Sequence, residues 1–128
     1  KEFWDLVREL KWDGDPYRAA QDLINFVKSK RLTKAEVNEF HDKFQEIADL
    51  ICTETERRLE QKLPVFEDHI CTGGDDFHFM DFPGELIGRG SKKDLEQYLA
   101  GNLVFDSDVR ESFVYMFIQL RAEGIIKS

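Results

Sequence analysis

Apolar residues recur at helical spacing almost from the start of the chain. Phe3, Trp4, Val7 and Leu10 share one helix face, and the pattern stops in Trp12-Asp-Gly-Asp-Pro16. There Gly14 ends one helix, while Asp15 and Pro16 supply a cap and a first-turn proline for the next. The spacing predicts a helix to about residue 11 and a second over 16–30, with Ala20, Leu23, Ile24 and Val27 facing inward. Thr33 and Glu36 form a capping box, in which hydroxyl and carboxylate each satisfy a backbone N–H, so a third helix starts there. Val37, Phe40, Phe44, Ile47, Ala48 and Ile51 keep its 3.6-residue period, and Glu39, Asp42, Glu46 and Asp49 occupy other faces. The period continues through Leu59 to Leu63 and breaks at Pro64, since proline lacks an N–H and disfavours helix in the residue before it.

Beyond Pro64 the elements shorten. Val65, Phe66 and Ile70 predict a helix over 65–71 that ends at Thr72-Gly73-Gly74. Pro83 and Gly84 suit only the first turn of a helix, which makes Asp81 or Phe82 the expected cap, Leu86-Ile87 the buried ridge and Gly90 the stop. Ser91 caps a helix containing Leu95, Tyr98 and Leu99. The last element is expected to open at Asp106-Ser107, carry Val109, Phe113, Val114, Met116, Phe117 and Leu120, and stop at Gly124. Being apolar over more than one stripe, it reads as a central helix packed on several sides. No segment alternates with period two long enough to require a strand, and Leu103-Val104-Phe105 is too short. The fold expected is all-α: a single compact domain over residues 1–128, of six or seven helices with short connections.

Composition narrows the functional classes. With 128 residues, 41% of them hydrophobic and 34% charged, the chain can bury a core and is not a disordered tail. No apolar run approaches the roughly 18 residues that span a bilayer, and no signal-peptide pattern opens the chain, so a cytoplasmic protein with no membrane association is expected. Cys52 and Cys71 lack zinc or redox spacing and are expected as buried, reduced thiols. The net charge of -8 is uneven, because residues 63–90 hold six acids and one base. A field of that sign repels phosphate backbones and attracts cations, so nucleic-acid binding is disfavoured and a basic protein partner is expected.

Two clusters could carry chemistry. His41-Asp42 matches the dyad of all-helical metal-dependent phosphohydrolases, but those need another histidine upstream and His41 is the first in the chain. A boundary histidine is the expected role. Asp75, Asp76, His78 and Asp81, with His69 nearby, could hold a divalent ion or act as an acid–base pair, although their spacing is not that of a calcium loop. The structural alternative is that Gly73-Gly74 form a turn and the acids cap helix starts. Phosphate-binding loops and nucleophile motifs are absent. No catalytic residue, metal ligand or cofactor is therefore assigned.

The Phe3-Trp4 opening, the amphipathic helix from Glu36 to Leu50, and the Gly- and Asp-rich turn leading into Asp81-Phe82, Leu86-Ile87 and Gly90 together carry a family resemblance. Over roughly residues 1–100 the chain resembles the mostly bacterial family called domain of unknown function 4240. Where the family pattern has an Arg after the D-F and a Trp before the L-I, this chain has Pro83 and Glu85. The resemblance implies an all-helical bacterial cytoplasmic protein and no particular activity. On the residues themselves, the expected function is a small acidic protein-binding module, immunity- or adaptor-like. Its partner surface would comprise Asp75, Asp76, Phe77, His78, Phe79, Asp81 and Glu85. The alternatives are a metal-dependent hydrolase built on the 75–81 cluster and a homodimeric structural protein.

Overall fold

The computed structural model describes residues 2–67, 77–106, 109–110 and 115–127. Helix α1 (Phe3–Leu10) buries Trp4, Leu6, Val7 and Leu10 and ends where Lys11 turns left-handed, at a φ of 50°. Helix α2 (Pro16–Lys28) starts as the sequence implies: the Asp15 carboxylate accepts the backbone N–H groups of Tyr17 and Arg18 at 3.0 and 3.1 Å. Helix α3 (Lys34–Glu60) opens with both bonds of the Thr33–Glu36 box, at 3.0 and 3.1 Å. At 27 residues it is about 40 Å long and forms the spine of the fold. It stops short of Leu63, which is exposed.

The next elements correct the sequence reading. Residues 65–67 are not helical. Phe66 instead makes an isolated parallel bridge with Phe105, in which Glu67 N–H donates to the Phe105 carbonyl at 2.7 Å and Phe105 N–H to that of Val65 at 3.0 Å. The apolar spacing of Val65 and Phe66 serves burial of an extended segment, which periodicity over so short a run cannot distinguish from a helix. Residues 68–71 of the expected helix lie outside the described residues.

Helix α4 (Phe82–Gly88) follows directly on a π-helical turn over Phe77–Asp81. Asp81 is itself helical and makes no side-chain cap, because the preceding turn already continues the backbone. Gly90, at a φ of 76°, ends the element. Helix α5 (Lys92–Leu99) is capped by Ser91, whose Oγ accepts the Asp94 N–H at 3.1 Å. Helix α6 (Tyr115–Ala122) does not extend back to the expected opening, since Val109 and Arg110 are not helical; Ser107, Phe113 and Val114 of the expected element lie outside the described residues. Nor is it central, since Ile118 is 61% exposed. That place belongs to α4, all seven residues of which are buried among α1, α3, α5 and the π turn. Among the described residues the fold is all-α, without a strand.

Two aromatic clusters fill the core. Phe82 meets Phe66, Tyr98 and Phe105 at centroid distances of 5.1, 5.3 and 5.6 Å, and Phe117 meets Phe40 and Phe44 at 6.1 and 5.0 Å. Arg58, 2% exposed, ties the end of α3 to the first cluster. Its guanidinium lies 3.9 Å from the Tyr98 ring centroid, pairs with Glu54 at 2.7 Å, and donates to the carbonyls of Leu103, Tyr98 and Pro64 at 2.6, 2.8 and 3.2 Å. A cation so buried is tolerable because its donors are matched. Glu54 also takes a bidentate pair from Arg57, and these arginine bonds hold its carboxyl down at about 2 despite burial. The Tyr98 hydroxyl, 2.7 Å from Thr55 Oγ1, is pushed up to about 12, chiefly by burial.

Candidate functional site

The residues expected to form an acidic and aromatic surface separate into three groups. Asp75 and Asp76 lie outside the described residues. Phe77, Phe79 and Asp81, on the π turn, are half-buried. His78 and Glu85 are 5% and 2% exposed and present no surface to a partner. On the π-helical turn His78 lies inward among the rings of Phe66, Phe77 and Phe79, with centroids at 5.8, 5.6 and 6.3 Å.

Glu85 is the centre of a buried polar knot. Its Oε1 accepts the Arg110 backbone N–H at 3.2 Å, Arg110 Nε at 3.0 Å and Trp12 Nε1 at 3.3 Å. Its Oε2 accepts Arg110 Nη2 at 2.8 Å and Arg89 Nε at 3.1 Å. Burial alone would raise this carboxyl, yet the bonds from Arg110 and Arg89 outweigh it and hold the group below the ordinary carboxylate range. Glycine makes the approach possible. A Cβ on Gly88 would stand 2.6 Å from Trp12 Cδ1, and one on Gly14 would stand 2.8 Å from Arg110 Cδ. The knot thus joins the loop after α1, helix α4 and the segment before α6, and its carboxylate is fully engaged.

The exposed acids lie elsewhere, on α3. Glu39, Asp42, Glu46, Asp49, Glu56 and Glu60 are all solvent-exposed and recur at three- and four-residue steps, with Thr53 filling the one gap. They make a single stripe about 30 Å long. Lys43 reaches Glu46 at 3.8 Å and His41 reaches Asp42 at 3.7 Å; among the described residues Glu39, Asp49, Glu56 and Glu60 form no ion pair. The sequence shows the first four of these acids as off the apolar face. It does not show that Glu56 and Glu60 continue the row, nor what lies beside it.

What lies beside it is the π turn. The half-buried Cys52 donates its thiol to the Phe79 carbonyl at 3.5 Å, seating the turn against α3. Burial first, and then the neighbouring Asp49 and Glu56 carboxylates, push the Cys52 thiol up, so it stays protonated at neutral pH. The backbone of Phe79, a half-buried residue, therefore meets α3 at Cys52, between Asp49 and Glu56 of the acidic stripe. His41 is held by Phe117, edge to face at 4.6 Å, and its pKa is lowered by burial and by Arg121. That is a boundary histidine. No three metal-ligating side chains converge among the described residues, and no described helix is long and apolar enough to cross a membrane. No family model, curated protein or solved structure matches the chain.

Proposed function

We propose that the chain is a small acidic protein-binding module that engages a basic protein through the outer face of α3 and the aromatic turn beside it. The observation that carries this reading is the six-acid stripe from Glu39 to Glu60, four of whose members have no ion-pair partner among the described residues. Like charges three and four residues apart destabilise a helix by a few tenths of a kcal/mol per pair. A stripe that retains this repulsion gains when a cationic surface covers it. Long-range attraction would steer the encounter, and Phe79 would supply the apolar anchor that exposed charges lack. Asp75 and Asp76, just before the turn in sequence, add to the chain's net negative charge.

An intracellular, adaptor- or immunity-like role in a bacterial cytoplasm belongs to this proposal, as does kinship with domain of unknown function 4240. Of the residues that carry that resemblance, Asp81-Phe82, Leu86-Ile87 and Gly90 build α4 and its ends here, around Glu85, where the chain departs from the family pattern. On this view that part of the resemblance specifies the scaffold, while the stretch from Glu36 to Leu50 carries the first four acids of the stripe.

Titration with a fluorescent arginine-rich peptide, and with basic proteins encoded beside the gene, tests the reading. Between about 0.1 M and 1 M salt the screening length falls from roughly 10 Å to 3 Å, and affinity is expected to fall with it. The triple variant Glu46→Gln, Asp49→Asn, Glu56→Gln is expected to bind about tenfold more weakly at low salt. Binding that ignores both salt and these substitutions rejects the proposal.

A further inference from the structure

We infer that the cleft between α1 and the start of α3 is a socket for one arginine side chain of the basic partner. The inference rests on the protein-binding reading above and names its anchor. The cleft has a volume of about 220 Å³ and an apolar wall formed by Phe3, Leu6, Leu32 and Phe40, with Glu36 and Glu39 at its polar side. That volume exceeds the roughly 150 Å³ of a cavity that takes benzene. It falls below the roughly 300 Å³ at which small-molecule sites begin. It suits a single side chain. Glu39 is also the first acid of the α3 stripe, so the cleft continues the surface already assigned to the partner.

The protein's own arginines show what such a place holds. Arg31 lies over Phe26 at 4.3 Å and pairs with Glu9; Arg58 lies over Tyr98 at 3.9 Å and pairs with Glu54. Arg89 lies over Phe105 at 5.5 Å, Arg110 lies over Trp12 at 5.8 Å, and both pair with Glu85. Each guanidinium found over an aromatic ring among the described residues is thus also held by a carboxylate. The cleft offers both surfaces, with Phe3 and Phe40 stacked at 5.0 Å, yet no arginine lines it. Among the described residues its one cation is Lys43, and that ammonium lies 3.8 Å from Glu46, one turn along the helix.

The chemistry favours arginine over lysine. A guanidinium is planar and weakly hydrated, so it stacks on a ring while its edge meets a carboxylate, and its methylene stem lies on apolar surface. Glu36 Oε1 already accepts the Thr33 N–H, whereas the Glu39 carboxylate forms no ion pair among the described residues and is the one that would meet the incoming group.

NMR titration of the full chain with blocked arginine, blocked lysine and blocked leucine tests the socket. Blocked arginine, at roughly 10 mM, is expected to shift the Leu6 and Leu32 methyl signals and the Phe3 and Phe40 ring signals, with millimolar affinity. Blocked lysine should bind several-fold more weakly and blocked leucine should not bind. Glu36→Gln with Glu39→Gln should weaken arginine binding about tenfold while melting is unchanged, because Gln at the third helical position also completes a capping box. If the pair melts lower, Glu39→Gln alone, at an exposed position, carries the comparison. No shift with arginine, equal shifts with leucine, or equal affinity in the charge-removed variants overturns the socket. The arginine-rich peptide separates the two proposals: if it moves Glu46, Asp49 and Glu56 signals and leaves the cleft still, the socket falls and the acidic-face reading stands. If it moves neither, both fall.

Discussion

Glu85 on α4 and the glutamates on the outer face of α3 all sit within a residue or two of a hydrophobic ridge, yet their surroundings are opposite. Glu85 is 2% exposed and bonded to two arginines and a tryptophan, whereas Glu39, Glu56 and Glu60 stand in solvent without an ion pair among the described residues. The difference does not come from the acid or from its immediate neighbours. It comes from Arg110 and Trp12, 25 and 73 positions away, which join the nearby Arg89 on this one carboxylate and reach none of the others. A crowded acidic sequence is therefore a poor guide to an acidic surface. Where cations converge the acid becomes scaffold, and where they do not it stays available to a partner.

The comparison is broken most severely by Glu85→Ala. Removing a buried carboxylate that satisfies Arg110, Arg89 and Trp12 should cost about 3 kcal/mol in urea unfolding, and a loss under about 0.5 kcal/mol would place Glu85 with the surface acids instead. Gly88→Ala probes the same knot without touching charge. A Cβ 2.6 Å from Trp12 Cδ1 must displace a buried ring, at about 2 kcal/mol and with a changed tryptophan emission; unchanged emission would contradict the packing.

Acid titration sharpens the contrast from the other side. Glu54 is held at about 2 against an ordinary 4.5, so its contribution is complete above the unfolded value and is lost as pH falls from 4.5 through 2. Wild type should lose stability across that window, and Glu54→Gln should show a shallower decline. Parallel curves would remove the paired-acid argument. The smallest effect belongs to the stripe. Glu46→Gln with Asp49→Asn and Glu56→Gln should change stability by no more than about 0.5 kcal/mol, with any change toward greater stability as repulsion is relieved. A large loss would mean that these acids are structural too.

Helix starts were legible wherever a local signal sets them. Asp15 with Pro16, the Thr33–Glu36 box and Ser91 all cap where their side chains say they should, because each satisfies N–H groups two or three residues away. Local signals misled where a tertiary alternative existed. Val65-Phe66 pair with residue 105 instead of coiling, and Asp81 loses its capping role to the π turn that runs into α4. For the candidate site, four acids of the α3 stripe were visible as polar positions. The approach of Phe79 to that stripe was not, since it depends on Cys52 meeting a carbonyl 27 residues on.

The sequence by itself determined the all-helical class, most helix boundaries in the first half, and the total negative charge, because these follow from periodicity, caps and composition. Only the tertiary structure decided which acids are buried, which helix is central and which turn lies beside the charged face. Those outcomes depend on long-range packing: one glycine at 88 lets Trp12 close over α4, and two arginines then draw Glu85 out of the surface and into the core.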